Sequence, residues 1–169
     1  MTTARAAWQG RLHLAAVVLG AWLVCTSPWV SLLRRIPANA GFFDWAHVVL
    51  GFGVLLVGLL YTGACSRAGR WRLYFPWLAG NVRPAGRDLA NLLRGRLPSA
   101  EGGGLFATIE GLLLLALLVV GLTGAGWFVL QGSAEALACR DVHIVAARVL
   151  IGLGLAHVLA VATHLVELA

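Results

Sequence analysis

Five histidines occur in this chain, and all five lie in or at the ends of apolar runs: His13, His47, His143, His157 and His164. The stretch DVHIVAARVLIGLGLAHVLAVATHLVE, residues 141–167, carries three of them at intervals of fourteen and seven. Imidazole can donate or accept a hydrogen bond, carry a proton, or present a lone pair to a metal. Inside an apolar run its desolvation must be offset by a partner. A hydrogen bond between helices accounts for any single histidine of this kind. Five together point to a binding role. In an α-helix, residues fourteen apart are rotated by about 1,400°, four turns less ~40°, so they share a face about 21 Å apart along the axis. One ion with bonds of about 2 Å cannot use both. The spacing of His143 and His157 therefore fits two separate sites at two depths.

The elements that must position these side chains are apolar and long. The chain has 169 residues, 60% of them hydrophobic and 12% charged, with a mean hydropathy of +0.85. A water-soluble domain of this length carries about twice that share of charge. Four stretches, approximately 12–33, 42–63, 105–130 and 142–168, each match the ~20 residues that cross a bilayer core as a helix. They predict an all-α fold: an integral membrane four-helix bundle forming one domain over 1–169, with a cytoplasmic loop at 64–104. The first run exceeds the 7–15-residue core of a signal peptide and lacks a clear A-x-A site, so it is expected to remain as a span. All thirteen basic residues are Arg, and seven of them (Arg67, Arg70, Arg72, Arg83, Arg87, Arg94, Arg96) lie between the second and third runs. With Arg5 and Arg11 before the first run, the positive-inside rule places both termini and the middle loop in the cytoplasm. The net charge of +6 then reflects topology and contact with anionic lipid rather than nucleic-acid binding.

This topology pairs the histidines by depth. His13 begins the first span on the cytoplasmic side and meets the level of His157. His47 begins the second span on the outer side and meets the level of His143. Two imidazoles facing each other among Gly and Ala in a helix bundle suit the axial sites of a b-type haem. Tetrahedral zinc wants four ligands, and no Cys, Asp or Glu is placed in sequence to complete such a set.

On these residues the chain resembles the four-helix membrane di-haem cytochromes b, which include bacterial cytochrome b561, the gamma subunit of formate dehydrogenase and the cytochrome b subunit of nickel–iron hydrogenases. The resemblance covers nearly the whole chain. It is carried by GRLHLAAVVLGAWL, by FFDWAHVVLGFGVLLVGLLYTG and, most specifically, by the histidines fourteen apart in VHIVAARVLIGLGLAHVLAVATH. It implies two haems b, ligated by His47 with His143 and by His13 with His157. The long basic loop is closer to the dehydrogenase and hydrogenase subunits. The first span departs from the family's Arg-x-x-His-Trp pattern, reading Arg11-Leu12-His13 without a following Trp.

Five further features need a place. His164, two turns beyond His157 on nearly the same face, is a candidate for contact with quinone; the alternative is a headgroup-facing histidine. Arg148 is expected to be buried enough to need an anion, either a haem propionate or a lipid phosphate. Glu110 is expected to pair with a loop Arg, with a proton relay as the alternative. The segment AGRDLANLLRGRL sets Leu89, Leu92, Leu93 and Leu97 on one face among Arg87, Arg94 and Arg96, which suits a short helix lying on the inner leaflet. The cysteines Cys25, Cys65 and Cys139 form no CxxC pair and read as small packing residues.

The functional expectation is a multi-pass protein of the bacterial inner membrane that carries electrons between a redox partner and the quinone pool. It would serve as the membrane subunit of an oxidoreductase whose partner subunit sits on the outer, periplasmic face. Alternatives are a self-contained cytochrome b561 oxidising a small outer reductant such as superoxide, and a transporter moving protons or metal ions along its histidines.

Overall fold

The computed structural model describes the backbone of residues 3–96 and 103–167, and the side chains of 5–67, 69–96 and 103–162. All regular structure among the described residues is helical. The helices are α1 (Thr3–Thr26), α2 (Phe42–Ser66), the single turn α3 (Trp71–Tyr74), α4 (Arg83–Leu92), α5 (Leu105–Val129) and α6 (Ala134–Glu167), with 3₁₀ turns at Ser27–Trp29 and Arg67–Gly69. Four of them, α1, α2, α5 and α6, are long and apolar enough to cross a membrane. Their outer surfaces are apolar: Leu14, Val49, Leu56, Leu122 and Leu155 are each more than half exposed. Such an area would associate in water and is at home against acyl chains.

Two boundaries differ from the expected spans, for local reasons. The first apolar run continues to Leu33, but α1 stops at Thr26. There Thr26 Oγ1 donates to the Trp22 carbonyl (2.8 Å) and Ser27 Oγ to the Val24 carbonyl (2.8 Å), and Pro28, with no N–H to give, ends the ladder in a 3₁₀ turn. At the other end α6 begins at Ala134 rather than Val142. Ser133 caps it by accepting the Ala136 N–H (3.2 Å), and the polar Glu135, Arg140 and Asp141 fill its first turns. The 34 residues of α6 extend about 50 Å at 1.5 Å per residue, beyond the ~30 Å of a bilayer core.

By backbone proximity the chain divides into two compact units, 1–64 with 117–148, and 65–116 with 149–169. In the first unit the helices meet through small residues. Gly58 of α2 faces Leu117, Gly121 of α5 faces Leu55, and Gly126 of α5 faces Cys139 of α6. A Cβ at Gly121 would stand 2.8 Å from a Leu55 methyl, so that approach needs glycine. Near the α1–α2 contact, Gln9 Nε2 donates to the Ala64 carbonyl (3.0 Å).

In the second unit the middle segment is structured, with α3 and α4 between α2 and α5. Asp88 of α4 is buried and accepts the Leu105 N–H (2.9 Å). It thus supplies from another helix the N-terminal cap that α5 lacks in its own sequence. A Cβ at Gly104 would overlap the Asp88 carboxylate, and one at Gly111 would overlap the Tyr74 carbonyl. Both glycines are therefore close-approach positions.

Candidate functional site: a histidine pair in the first unit

The helical period places His47, Gly51, Val54, Gly58 and Cys65 along one face of α2, since these offsets of 4, 7, 11 and 18 all return within about 40°. On α5 the same arithmetic groups Val120, Gly124 and Trp127, and on α6 it groups Ala136, Cys139 and His143. Val54, Trp127 and Ala136 are buried, so these faces are the inward ones.

His47 and His143 meet from α2 and α6. Their ring centroids are 6.2 Å apart with an interplanar angle of 71°, so the rings do not stack. Two imidazoles binding one metal from opposite sides, with bonds of about 2.0–2.1 Å and about 1.1 Å from nitrogen to ring centre, hold their centroids about 6.3 Å apart. The observed centroid separation matches that of two imidazoles sharing one metal ion. The second coordination layer fits as well. His143 Nδ1 lies 2.9 Å from the Val120 carbonyl, a contact that places the proton on Nδ1 and leaves the Nε2 lone pair free. The buried His47 Nδ1 has no hydrogen-bond partner among the described residues. Gly124 makes room for the His143 ring: a Cβ there would stand 3.3 Å from both Cε1 and Nδ1.

The end of the unit that carries this pair is held by a polar network at residues 30–44 and 127–140. Asp44, buried at 6% exposure, accepts the Ser31 N–H at Oδ1 (2.6 Å) and the Gly41 N–H at Oδ2 (3.0 Å). It is the N3 residue reaching back to its N-cap, as in half a capping box. Trp127 Nε1 donates to the Leu33 carbonyl (2.8 Å), Arg140 Nε to the Leu32 carbonyl (3.1 Å) and Arg34 Nε to the Ser133 carbonyl (3.2 Å). The Ile36 N–H donates to Gln131 Oε1 (3.0 Å) and the Gly132 N–H to the Arg34 carbonyl (3.0 Å). These bonds set the register of α2, α5 and α6 a few residues from His47 and His143. At this pair the donors are two imidazoles, and no group of three His, Cys, Asp or Glu suited to one ion occurs among the described residues.

The other candidate residues stand as follows. His13 is exposed and packs against the Tyr61 ring, centroids 5.7 Å apart. His157 belongs to the second unit; its Nδ1 is buried with no hydrogen-bond partner among the described residues. The side chain of His164 and residue Leu97 lie outside the described residues. Arg148 is exposed rather than buried; five residues past His143 it is turned by about 140° from that ring. Glu110 makes no ion pair with a loop Arg among the described residues. Its titratable neighbour is the Tyr74 phenol, which accepts from Arg70 (3.0 Å). Burial raises the Tyr74 pKa from 10.0, with the Arg70 hydrogen bond opposing. Val120, Asp44, Trp127 and Asp88 are not singled out by residue type and spacing alone. Asp44, three residues before His47 at the start of an apolar run, carried a readable signal as a helix-start carboxylate; a carbonyl such as that of Val120 has none.

No protein-family model, no curated protein and no solved structure matches this chain.

Proposed function

We propose that the chain is a b-type membrane cytochrome, in which His47 and His143 would hold one haem and His13 and His157 a second. The observation that carries this reading is the 6.2 Å separation of the His47 and His143 rings, together with the Val120 carbonyl on His143 Nδ1. A bound haem would supply reversible one-electron transfer. The chain's own part is to hold the imidazoles at fixed depth, to fix the His143 tautomer and to exclude water with the Leu and Val around them. Two ligands on different helices, each pinned by the network of residues 30–44 and 127–140, keep the site preorganised.

For the second pair the support is the fourteen-residue spacing on α6 and the depth of His13 in the first span. In the proposed topology both termini and the 64–104 loop are cytoplasmic, in a bacterial inner membrane. Electrons would pass between a redox partner subunit on the periplasmic face and quinone near the inner pair, where His164 is the candidate contact. The test is haem content in single variants. His143→Ala and His47→Ala should each remove the same one of two haems, and His157→Ala the other. Retention of both haems in His143→Ala would end this assignment.

A further inference from the structure

We propose that α4 carries a binding site for the phosphate headgroup of an anionic phospholipid, in the cleft between Arg83 and Arg87. This stands independently of the haem reading. The surface of α4 divides into three sectors at about 100° per residue. Asp88 occupies one sector, buried and bonded to the Leu105 N–H (2.9 Å), and so fixes the helix to the start of α5. About 100° further round, Leu89 and Leu93 form an apolar sector, 50% and 83% exposed, with Leu92 beside them at 44%. The third sector is basic: Arg83 and Arg87, one turn apart, line a shallow, open cleft of about 570 Å³ together with Gly86 and Ala90 among the described residues. The small side chains of Gly86 and Ala90 keep this face low, so a headgroup can reach both guanidiniums.

Charge decides the class of ligand. Asp88, the nearest carboxylate in sequence, is turned away from the cleft and occupied by a backbone N–H. Arg94 and Arg96 follow within the next turn and a half, so the segment is cationic, with no counter-ion on this face among the described residues. The adjoining leucines decide between free phosphate and lipid. A free anion leaves three leucines in water, whereas a lipid places its acyl chains against them and its phosphate on the arginines. An anchored helix with this geometry would hold one lipid at a defined place rather than attract the leaflet diffusely.

The test uses the full-length purified chain in neutral detergent, with phosphatidylglycerol titrated in and bound lipid counted by native mass spectrometry. The double variant Arg83→Gln/Arg87→Gln should weaken binding about thirty-fold, the effect of removing two cationic side chains from an anionic headgroup. Arg5→Gln/Arg11→Gln, with the same change in net charge, should leave it within about two-fold. Gly86→Phe keeps every charge and fills the cleft; a Cβ at Gly86 meets nothing within 4 Å, so the chain tolerates it while lipid binding falls. Inorganic phosphate should not compete. Equal binding by the Arg83/Arg87 variant overturns the site. So does an equal loss in the Arg5/Arg11 variant, unaltered binding in Gly86→Phe, or displacement of the lipid by inorganic phosphate.

Discussion

Gly124 is the residue whose replacement most directly probes how the His143 ring is seated. A methyl at that position would stand 3.3 Å from both Cε1 and Nδ1 of the imidazole, a few tenths of an ångström inside the ~3.5–4.0 Å of a relaxed contact. Alanine therefore asks for a small shift, at a cost below about 1 kcal/mol. Valine adds two more methyls on the same side, and the ring must move far enough to lose its 2.9 Å contact with the Val120 carbonyl. Overpacking contributes about 1–3 kcal/mol, and a hydrogen bond between membrane helices averages about 0.6 kcal/mol with a ceiling near 1.7. Overpacking is thus the larger effect, and Gly124→Val should cost about 2–4 kcal/mol in all. Reversible unfolding in mixed micelles measures this in the parent and in His143→Ala. In the latter the cavity left by the imidazole absorbs the added methyls, and the cost of Gly124→Val should fall by at least about 1 kcal/mol. An equal cost in both backgrounds would refute the claim that Gly124 is small to accommodate His143.

Asp44→Ala leaves the Ser31 and Gly41 N–H groups without their acceptor and should destabilise by about 3 kcal/mol, whereas Asp44→Asn keeps one oxygen and loses about half of that; the same unfolding measurement reads both, and equal effects of the two would contradict the two-oxygen role. Trp127→Phe preserves the buried ring and deletes the donor to the Leu33 carbonyl, for an expected loss of about 1 kcal/mol, with a change below the error of the method counting against it. Tyr74 has a folded-state pKa above its ordinary 10.0, chiefly through burial. Its contribution to stability is therefore complete below about pH 10 and is lost as pH rises through the raised value. Phenolate absorbance of the parent against Tyr74→Phe follows this titration, and ionisation of Tyr74 at or below the ordinary value would overturn it.

The elements of this fold were legible because a lipid-facing helix needs a long apolar run, and four such runs have nowhere else to go. Their ends were less so. The apolar Val30–Leu33 segment looks like a span and is a loop, because Thr26, Ser27 and Pro28 divert the backbone before it. The first turns of α6 look like a loop and are helix, because Ser133 caps them and their polar residues extend the helix past its apolar part. For the site, residue type and helical spacing singled out the histidines, and the charge asymmetry of the loops suggested which should meet; His47 and His143 do meet. The Val120 carbonyl carries no side-chain signal, and the role of Gly124 depends on which neighbour its missing Cβ would strike. Arg148 shows the limit of reasoning from depth alone: a charge within an apolar run need not point inward, and this one is exposed.

The most direct measurement is the iron-tetrapyrrole content of the purified chain, read with its reduced-minus-oxidised absorption spectrum. Two haems per chain are expected, with the sharp bands of low-spin b-type iron. A chain purified intact from a haem-replete membrane with no bound tetrapyrrole, or with only high-spin iron, would contradict the haem assignment.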